Sequence, residues 1–148
     1  MTGYNIVFVD TAPLIYFLDE DVNFGKKARL IFEEILSGGK QILSSAITCT
    51  EYLVFPYKTN NQAKVDAFFD FAESEGMLLT PVTTSIAKAA ARIRAEYSGF
   101  KAMDAYHVAS AIYAGCEYFI SVDDRLLKYK TNEIKLVTPI DFITEMGE

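Results

Sequence analysis

The feature that most constrains this chain is a series of short apolar runs separated by segments with helical spacing. The run Asn5–Val9 is a continuous apolar stretch of the kind found in strands buried on both faces. Further short strands are predicted at Gln41–Leu43, Met77–Thr80, Tyr118–Ser121 and Lys135–Val137. Because strands that alternate with helices form βαβ units, the sequence predicts an α/β fold with a mainly parallel sheet and helices on both faces.

Segments between these strands have the apolar spacing of amphipathic helices. Helices are predicted at Leu14–Leu18, Phe24–Leu36, from Ser44 or Ser45 to Val54, and at Gln62–Glu75, Thr84–Tyr97, Ala102–Ala114 and Asp124–Tyr129, with a last short helix from Thr138. Pro56 is expected to end the third of these helices. Glu51 and Val54 share the apolar face of this third helix with Ile47 and are expected to point inward. Phe69 belongs to the apolar face of the next helix and is also expected to point inward.

Length and composition favour one ordinary globular domain over residues 1–148. The chain has 148 residues, of which 51% are hydrophobic and 23% are charged. No apolar run reaches the ~18 residues of a membrane span, and no signal peptide is visible, so no membrane partner is expected. Cys49 and Cys116 lie in apolar segments without CxxC spacing, which indicates free thiols and a cytoplasmic location.

The formal net charge of −6 argues against a protein that holds nucleic acid by broad phosphate neutralisation. It does not exclude a nuclease, because bound metal would offset a cluster of carboxylates. It also permits a basic partner. The basic residues Lys88, Arg92, Arg94 and Lys101 are interpreted as solvated, so no nucleic-acid-binding residue is assigned.

Three acids each stand alone in an apolar neighbourhood. Asp104 is the only charged residue between positions 102 and 116. Asp10 is the only one between positions 1 and 18, and Glu51 is the only one between positions 41 and 57. A fourth acid, Asp123 or Asp124, follows a predicted strand. Burying an unpaired carboxylate costs several kcal/mol or more, so each acid needs a partner. The four are either unrelated caps and surface acids, or one cluster of carboxylates around metal.

The predicted topology allows these acids to meet. Asp10 and Asp123 follow the carboxyl ends of two parallel strands, where sites in open α/β sheets are built. Asp104 lies in the first turn of a helix, and Glu51 faces the sheet. Carboxylate oxygens select Mg²⁺ or Mn²⁺, and such a site suits in-line phosphoryl transfer. The only histidine, His107, is interpreted as a packed, hydrogen-bonded core residue rather than a ligand.

Four sequence motifs resemble those of PIN-domain ribonucleases, and in particular the VapC-like toxins of toxin–antitoxin pairs. They are V-D-T at Val9–Thr11, T-E-Y-L at Thr50–Leu53, M-D-A-Y-H-V-A-S-A at Met103–Ala111 and S-V-D-D-R-L-L at Ser121–Leu127. The D-A-x-H-x-A-x-A piece is the most specific, and the order and spacing of all four extend the resemblance over the whole chain.

The resemblance implies a three-layer α/β/α sandwich, a homodimer, an antitoxin partner, and Mg²⁺- or Mn²⁺-dependent cleavage of an RNA substrate. Carried over by position, it assigns catalytic roles to Asp10, Glu51, Asp104 and Asp123, with the metal held by Asp10, Asp104 and Asp123. Thr11 and Ser121 match hydroxyl positions that orient the site. Asp123 is favoured over Asp124 as the fourth acid because the acid of the motif follows the serine by two residues. Asp124 is assigned as a third supporting residue, interpreted as a cap of the following helix.

Two other functions compete with a nuclease. A PIN-like protein-interaction module without catalysis is one alternative, although the presence of all four acids weighs against it. A phospho-receiver domain is the other; it would need an acidic pair after the first strand and an aspartate after the third. The sequence has the single Asp10 and then Thr80-Pro81 at those places, which disfavours a receiver.

Overall fold

A computed structural model of the chain describes residues 6–146, which contain one five-stranded sheet. Its strands are β1 (Ile6–Val9), β2 (Gln41–Ser45), β3 (Leu78–Thr80), β4 (Tyr118–Ile120) and β5 (Lys135–Val137). The strand order is β3-β2-β1-β4-β5, and every neighbouring pair is parallel. The predicted parallel sheet is therefore confirmed, while Asn5, the predicted start of β1, lies outside the described residues.

Helices connect the strands and cover both faces of the sheet. They are α1 (Thr11–Leu18), α2 (Gly25–Ser37), α3 (Ala46–Lys58), α4 (Gln62–Ser74), α5 (Thr84–Glu96), α6 (Ala102–Tyr113), α7 (Asp124–Leu127) and α8 (Pro139–Met146). The predicted helices are all present, with most ends displaced by a few residues. The chain has the expected α/β/α architecture.

Strand β1 divides the core into two layers. Val7 and Val9 pack into one cluster with Phe32 of α2 and Phe68 of α4, whereas Phe8 packs into the opposite cluster. All three β1 residues are at most 1% exposed, as the pleat requires when both faces of a sheet are covered. The second layer is formed mainly by α5 and α6. The central strand is thus held on both faces.

The end of α3 differs from the sequence expectation. The helix continues through Pro56 to Lys58, so the prediction that Pro56 ends it was wrong. Pro56 is buried, and its carbonyl accepts from the Asn61 amide at 2.8 Å. The positive φ of 53° at Asn60 then ends the turn. The helix therefore ends through bonds made after the proline, and not at the proline itself.

Two side chains that were expected to point inward are exposed. Val54 is 52% exposed and Phe69 is 44% exposed. In α4 the core-facing side includes Phe71, whose ring contacts Phe17 and Phe32, in place of Phe69, while Phe68 stacks on Tyr52 with ring centroids 5.0 Å apart. Among residues 6–146, no helix combines the length and the apolar character needed to cross a membrane.

The adjacent residues Phe68 and Phe69 allow a matched test of this packing. We expect Phe68→Ala to lower the free energy of unfolding by about 3–5 kcal/mol, since it empties a fully buried site. Phe69→Ala removes the same atoms from a half-exposed site and should cost less than about 1 kcal/mol. Urea unfolding of both variants measures the difference. Equal losses would contradict the inward and outward assignment.

Candidate active site

Asp10 lies where β1 becomes α1. Its amide donates to the Ile120 carbonyl at 3.0 Å, which continues the pairing of β1 with β4. Its side chain caps α1, with Oδ1 accepting from the Thr11 amide at 2.9 Å. The sheet register therefore fixes the backbone of Asp10, and the helix start fixes one carboxylate oxygen.

Ser121 holds the second oxygen of Asp10. Its hydroxyl donates to Asp10 Oδ2 at 2.8 Å, and its Oγ accepts from the Asp123 amide at 3.0 Å. Asp10 is only 9% exposed, and burial raises the pKa of this carboxyl above its usual range, although nearby His107 and the Ser121 hydrogen bond oppose the shift. The acid is thus buried without full charge compensation.

Glu51 reaches the same region from α3. Its Oε1 accepts from the Thr11 hydroxyl at 2.7 Å and bonds His107 Nε2 at 2.8 Å. The hydrogen bond from His107 is the main reason that the pKa of Glu51 is lowered. The side chain is 35% exposed, so Glu51 points to the edge of the sheet rather than into the apolar core. Its partner is the histidine of α6.

His107 is the buried centre of this group. It lies on α6, is 1% exposed, and bonds Ser45 Oγ through Nδ1 at 3.2 Å. The interpretation of His107 as a packed, hydrogen-bonded residue is confirmed. Sequence reasoning missed its contact with Glu51, although its spacing from Asp104 on one face of α6 was visible. Ser45, not Ser44, caps α3, since its Oγ accepts from the Ile47 amide.

Asp104 and Asp123 form a second acidic group around Arg125. Arg125 binds both oxygens of Asp123, with Nη2 at 2.8 Å from Oδ2 and Nε at 3.2 Å from Oδ1. The same Nη2 is 3.9 Å from Asp104 Oδ2. The Arg125 hydrogen bond lowers the pKa of Asp123. Sequence reasoning overlooked this arginine, although it follows the two acids directly.

The structure separates Asp123 from Asp124. Asp123 is the N-cap of α7, so the prediction that Asp124 caps this helix was wrong. Asp124 is exposed and lines an apolar cleft with Tyr16, Phe24 and Ile140. Only Asp123 takes part in the contacts with Ser121 and Arg125. The serine hydroxyl links the two acidic groups, because it bonds the Asp10 carboxylate and the Asp123 amide.

The chemistry of these residues fits a hard divalent cation. The available donors are carboxylate and hydroxyl oxygens, which Mg²⁺ and Mn²⁺ prefer. The positively charged Arg125 guanidinium lies between the carboxylates of Asp104 and Asp123. Within residues 6–146, no three acidic, histidine or cysteine side chains are close enough together to bind a metal ion in this arrangement.

Comparison with known proteins agrees with this architecture. The sequence profile of the PIN domain matches residues 7–132, and the chain belongs to the PIN domain family. A solved structure described as a toxin–antitoxin complex from Klebsiella pneumoniae has a similar fold, with a TM-score of 0.64 and 21% identity. The match covers 90% of this chain and 97% of the other. Among proteins of curated function, none matches the sequence.

Removal of the Asp10 charge should stabilise the metal-free protein. Burial raises the pKa of Asp10 in the folded state, so ionisation at neutral pH favours the unfolded chain. Asparagine keeps an oxygen for the Thr11 amide, and we expect Asp10→Asn to raise the free energy of unfolding by about 1 kcal/mol at pH 7 in EDTA. The gain should shrink as the pH falls toward the ordinary aspartate pKa.

Denaturant unfolding at several pH values measures this effect. Asp70→Asn is the matched control because Asp70 lies exposed on α4 and makes no part of the site. A stability loss in Asp10→Asn, with an unchanged control, would show that the Asp10 carboxylate is better compensated than its burial indicates.

Replacement of Arg125 should favour metal binding. Arg125→Gln frees both oxygens of Asp123 and removes a competing positive charge. We expect the affinity for Mn²⁺ to rise on the order of threefold to fivefold, the size expected for an exposed ion pair. Titration calorimetry measures it, and Lys128→Gln, which removes an exposed charge just after α7, is the control. Weaker binding in Arg125→Gln would instead make the arginine a supporting part of the metal site.

Proposed function

We propose that this protein is a Mg²⁺- or Mn²⁺-dependent endoribonuclease that hydrolyses RNA phosphodiester bonds and leaves a 5′-phosphate and a 3′-hydroxyl. The observation that carries the proposal is the buried Asp10 carboxylate at the carboxyl edge of the sheet. Acids from three other parts of the chain face the same edge, and the chain belongs to a family whose members are generally nucleases.

In this proposal Asp10, Asp104 and Asp123 hold the cation, and Glu51 is the fourth catalytic acid. A bound divalent cation would supply activation of a water molecule and charge neutralisation at the phosphate. The cation would also compensate the charge of Asp10, whose burial is otherwise costly. Asp123 becomes available when Arg125 turns away, and the freed guanidinium then has the charge needed to contact an RNA phosphate.

Thr11 and Ser121 act as supporting residues. The Thr11 amide and the Ser121 hydroxyl each fix one oxygen of Asp10. The Thr11 hydroxyl also holds Glu51 Oε1. These contacts orient two acids before substrate arrives, which reduces the reorganisation needed during phosphoryl transfer. Asp124 has no part in this mechanism, since it faces the neighbouring cleft.

The proposed biological role is that of a VapC-like toxin, a single nuclease domain over residues 1–148 that pairs with an antitoxin protein. The fold similarity to a chain from a toxin–antitoxin complex supports this role. The net charge of −6 suits a basic partner. The free thiols Cys49 and Cys116 suit a cytoplasmic location. Exposed apolar side chains on α3, including Phe55 at 66% and Tyr57 at 58%, support self-association as a homodimer.

The direct test is cleavage of a pool of single-stranded and structured RNA with Mn²⁺, Mg²⁺ or EDTA. We expect metal-dependent cleavage by the wild type and a loss of about a hundredfold or more in Asp104→Asn, because Asp104 would lose a charge at the reacting centre. Asp70→Asn should cleave at the wild-type rate. End analysis of the products checks for 5′-phosphates.

Two results would contradict the proposal. Full activity of Asp104→Asn would refute the assignment of the acidic site. Failure of folded, metal-bound wild type to cleave any RNA in the pool would favour the non-catalytic interaction module. In the second case Arg125 would act as a permanent partner of Asp123 rather than a displaceable one.

A further inference from the structure

We propose that His107 is a positioning residue that holds the Glu51 carboxylate in one orientation, with Ser45 fixing the imidazole ring from the other side. The inference rests on the proposed function, because it concerns the fourth acid of the same site. It assigns a task to a residue that the carboxylate chemistry alone does not require.

Both ring nitrogens of His107 have partners on different elements. Nε2 bonds Glu51 Oε1 of α3 at 2.8 Å, and Nδ1 bonds Ser45 Oγ at the end of β2 at 3.2 Å. The ring also packs against Phe8 of the central strand, with centroids 5.7 Å apart. The imidazole is only 1% exposed. The sheet and α6 therefore determine where its Nε2 points.

The partners also determine where the ring carries its proton. The Glu51 oxygen can only accept, so Nε2 must be protonated. Ser45 Oγ already accepts from the Ile47 amide at 3.0 Å, which leaves the serine proton free to be donated to Nδ1. With Nε2–H donating to Glu51 and Ser45 Oγ donating to Nδ1, both ring nitrogens have a hydrogen-bond partner. Ser45 thus favours the Nε2–H tautomer of His107, and the Nε2–H group in turn orients the Glu51 carboxylate.

The two carboxylate oxygens of Glu51 therefore differ in their hydrogen bonding. Oε1 receives hydrogen bonds from the Thr11 hydroxyl and from His107. Within residues 6–146, no hydrogen bond is made to Oε2, and the side chain is 35% exposed. Oε2 is therefore the oxygen presented to a water molecule or a cation at the edge of the sheet.

A purely structural role would not need this arrangement. An apolar side chain would fill the same space beside Phe8 without the cost of burying two polar nitrogens. His107 instead bonds Ser45, the N-cap of α3, through Nδ1 and bonds the partly exposed Glu51 through Nε2. Burial of the two polar ring nitrogens is tolerated only because Glu51 and Ser45 are both present to hydrogen-bond them.

The first test uses the fact that His107 is the only histidine in the chain. Ring-labelled histidine gives a single set of nitrogen signals in NMR spectra, and we expect the Nε2–H tautomer in the metal-free wild type. Glu51→Gln should shift the Nε2 signal because it removes the charge that faces it. Addition of Mg²⁺ should shift the same signal in wild type and leave it unchanged in Asp10→Asn. A protonated Nδ1 with a bare Nε2, or a signal unaffected by Glu51→Gln, would overturn the proposal.

The second test compares His107→Gln with His107→Leu. Glutamine can keep a donor near Glu51, whereas leucine fills the space and donates nothing. We expect His107→Leu to lose about tenfold to a hundredfold in kcat with little change in KM, and His107→Gln to retain most of the activity. Equal kcat values per folded molecule in wild type and His107→Leu would overturn the positioning role, whatever the change in stability.

Ser45→Ala keeps the experiment decisive if both His107 variants fail to fold. It leaves the imidazole in place and removes its second partner, so we expect a mixture of tautomers and a lower kcat. Wild-type tautomer and wild-type kcat in Ser45→Ala would contradict the inference. If wild type cleaves no RNA, the proposed function fails by itself, and the NMR comparison still decides whether His107 holds Glu51.

Discussion

The proposed site is organised around one carboxylate that is buried at the end of the central strand. Asp10 is held there by the β1–β4 pairing, by the first amide of α1 and by the Ser121 hydroxyl. These contacts orient the acid but do not neutralise it, and burial raises its pKa. An ionised carboxylate at such a position is costly to bury without a compensating charge, and this cost is the observation on which the proposed metal site rests.

The remaining charges are arranged around this centre in two different ways. Glu51 is bound by the Thr11 hydroxyl and by the buried His107. Asp123 is bound by the exposed Arg125, which can leave at little cost. Glu51 is thus oriented by buried neighbours, whereas Asp123 is bound by the side chain of Arg125, which can be displaced. Within residues 6–146 the acidic side chains form no metal-binding cluster while Arg125 binds Asp123.

The sequence predicted much of the fold because its signals were local. Apolar runs and helical spacing located all five strands and the helices between them, and the acids could be placed at the sheet edge from topology. Side-chain pairing could not be predicted in this way. The contact between Glu51 and His107 joins residues 56 positions apart, and the position of Arg125 depends on the path of the β4–α7 connection. The predictions for Pro56 and Phe69 were wrong because tertiary packing determines where α3 ends and which α4 phenylalanines face the core.

The most direct test of this account is the location of Mn²⁺ by anomalous scattering in crystals of the wild-type protein. The account predicts an anomalous peak at bonding distance from oxygens of Asp10, Asp104 and Asp123, with Arg125 withdrawn from Asp123. A peak at another position, or protein saturated with Mn²⁺ in which Arg125 still binds both oxygens of Asp123, would contradict the assignment of the carboxyl edge of the sheet as the metal-dependent active site.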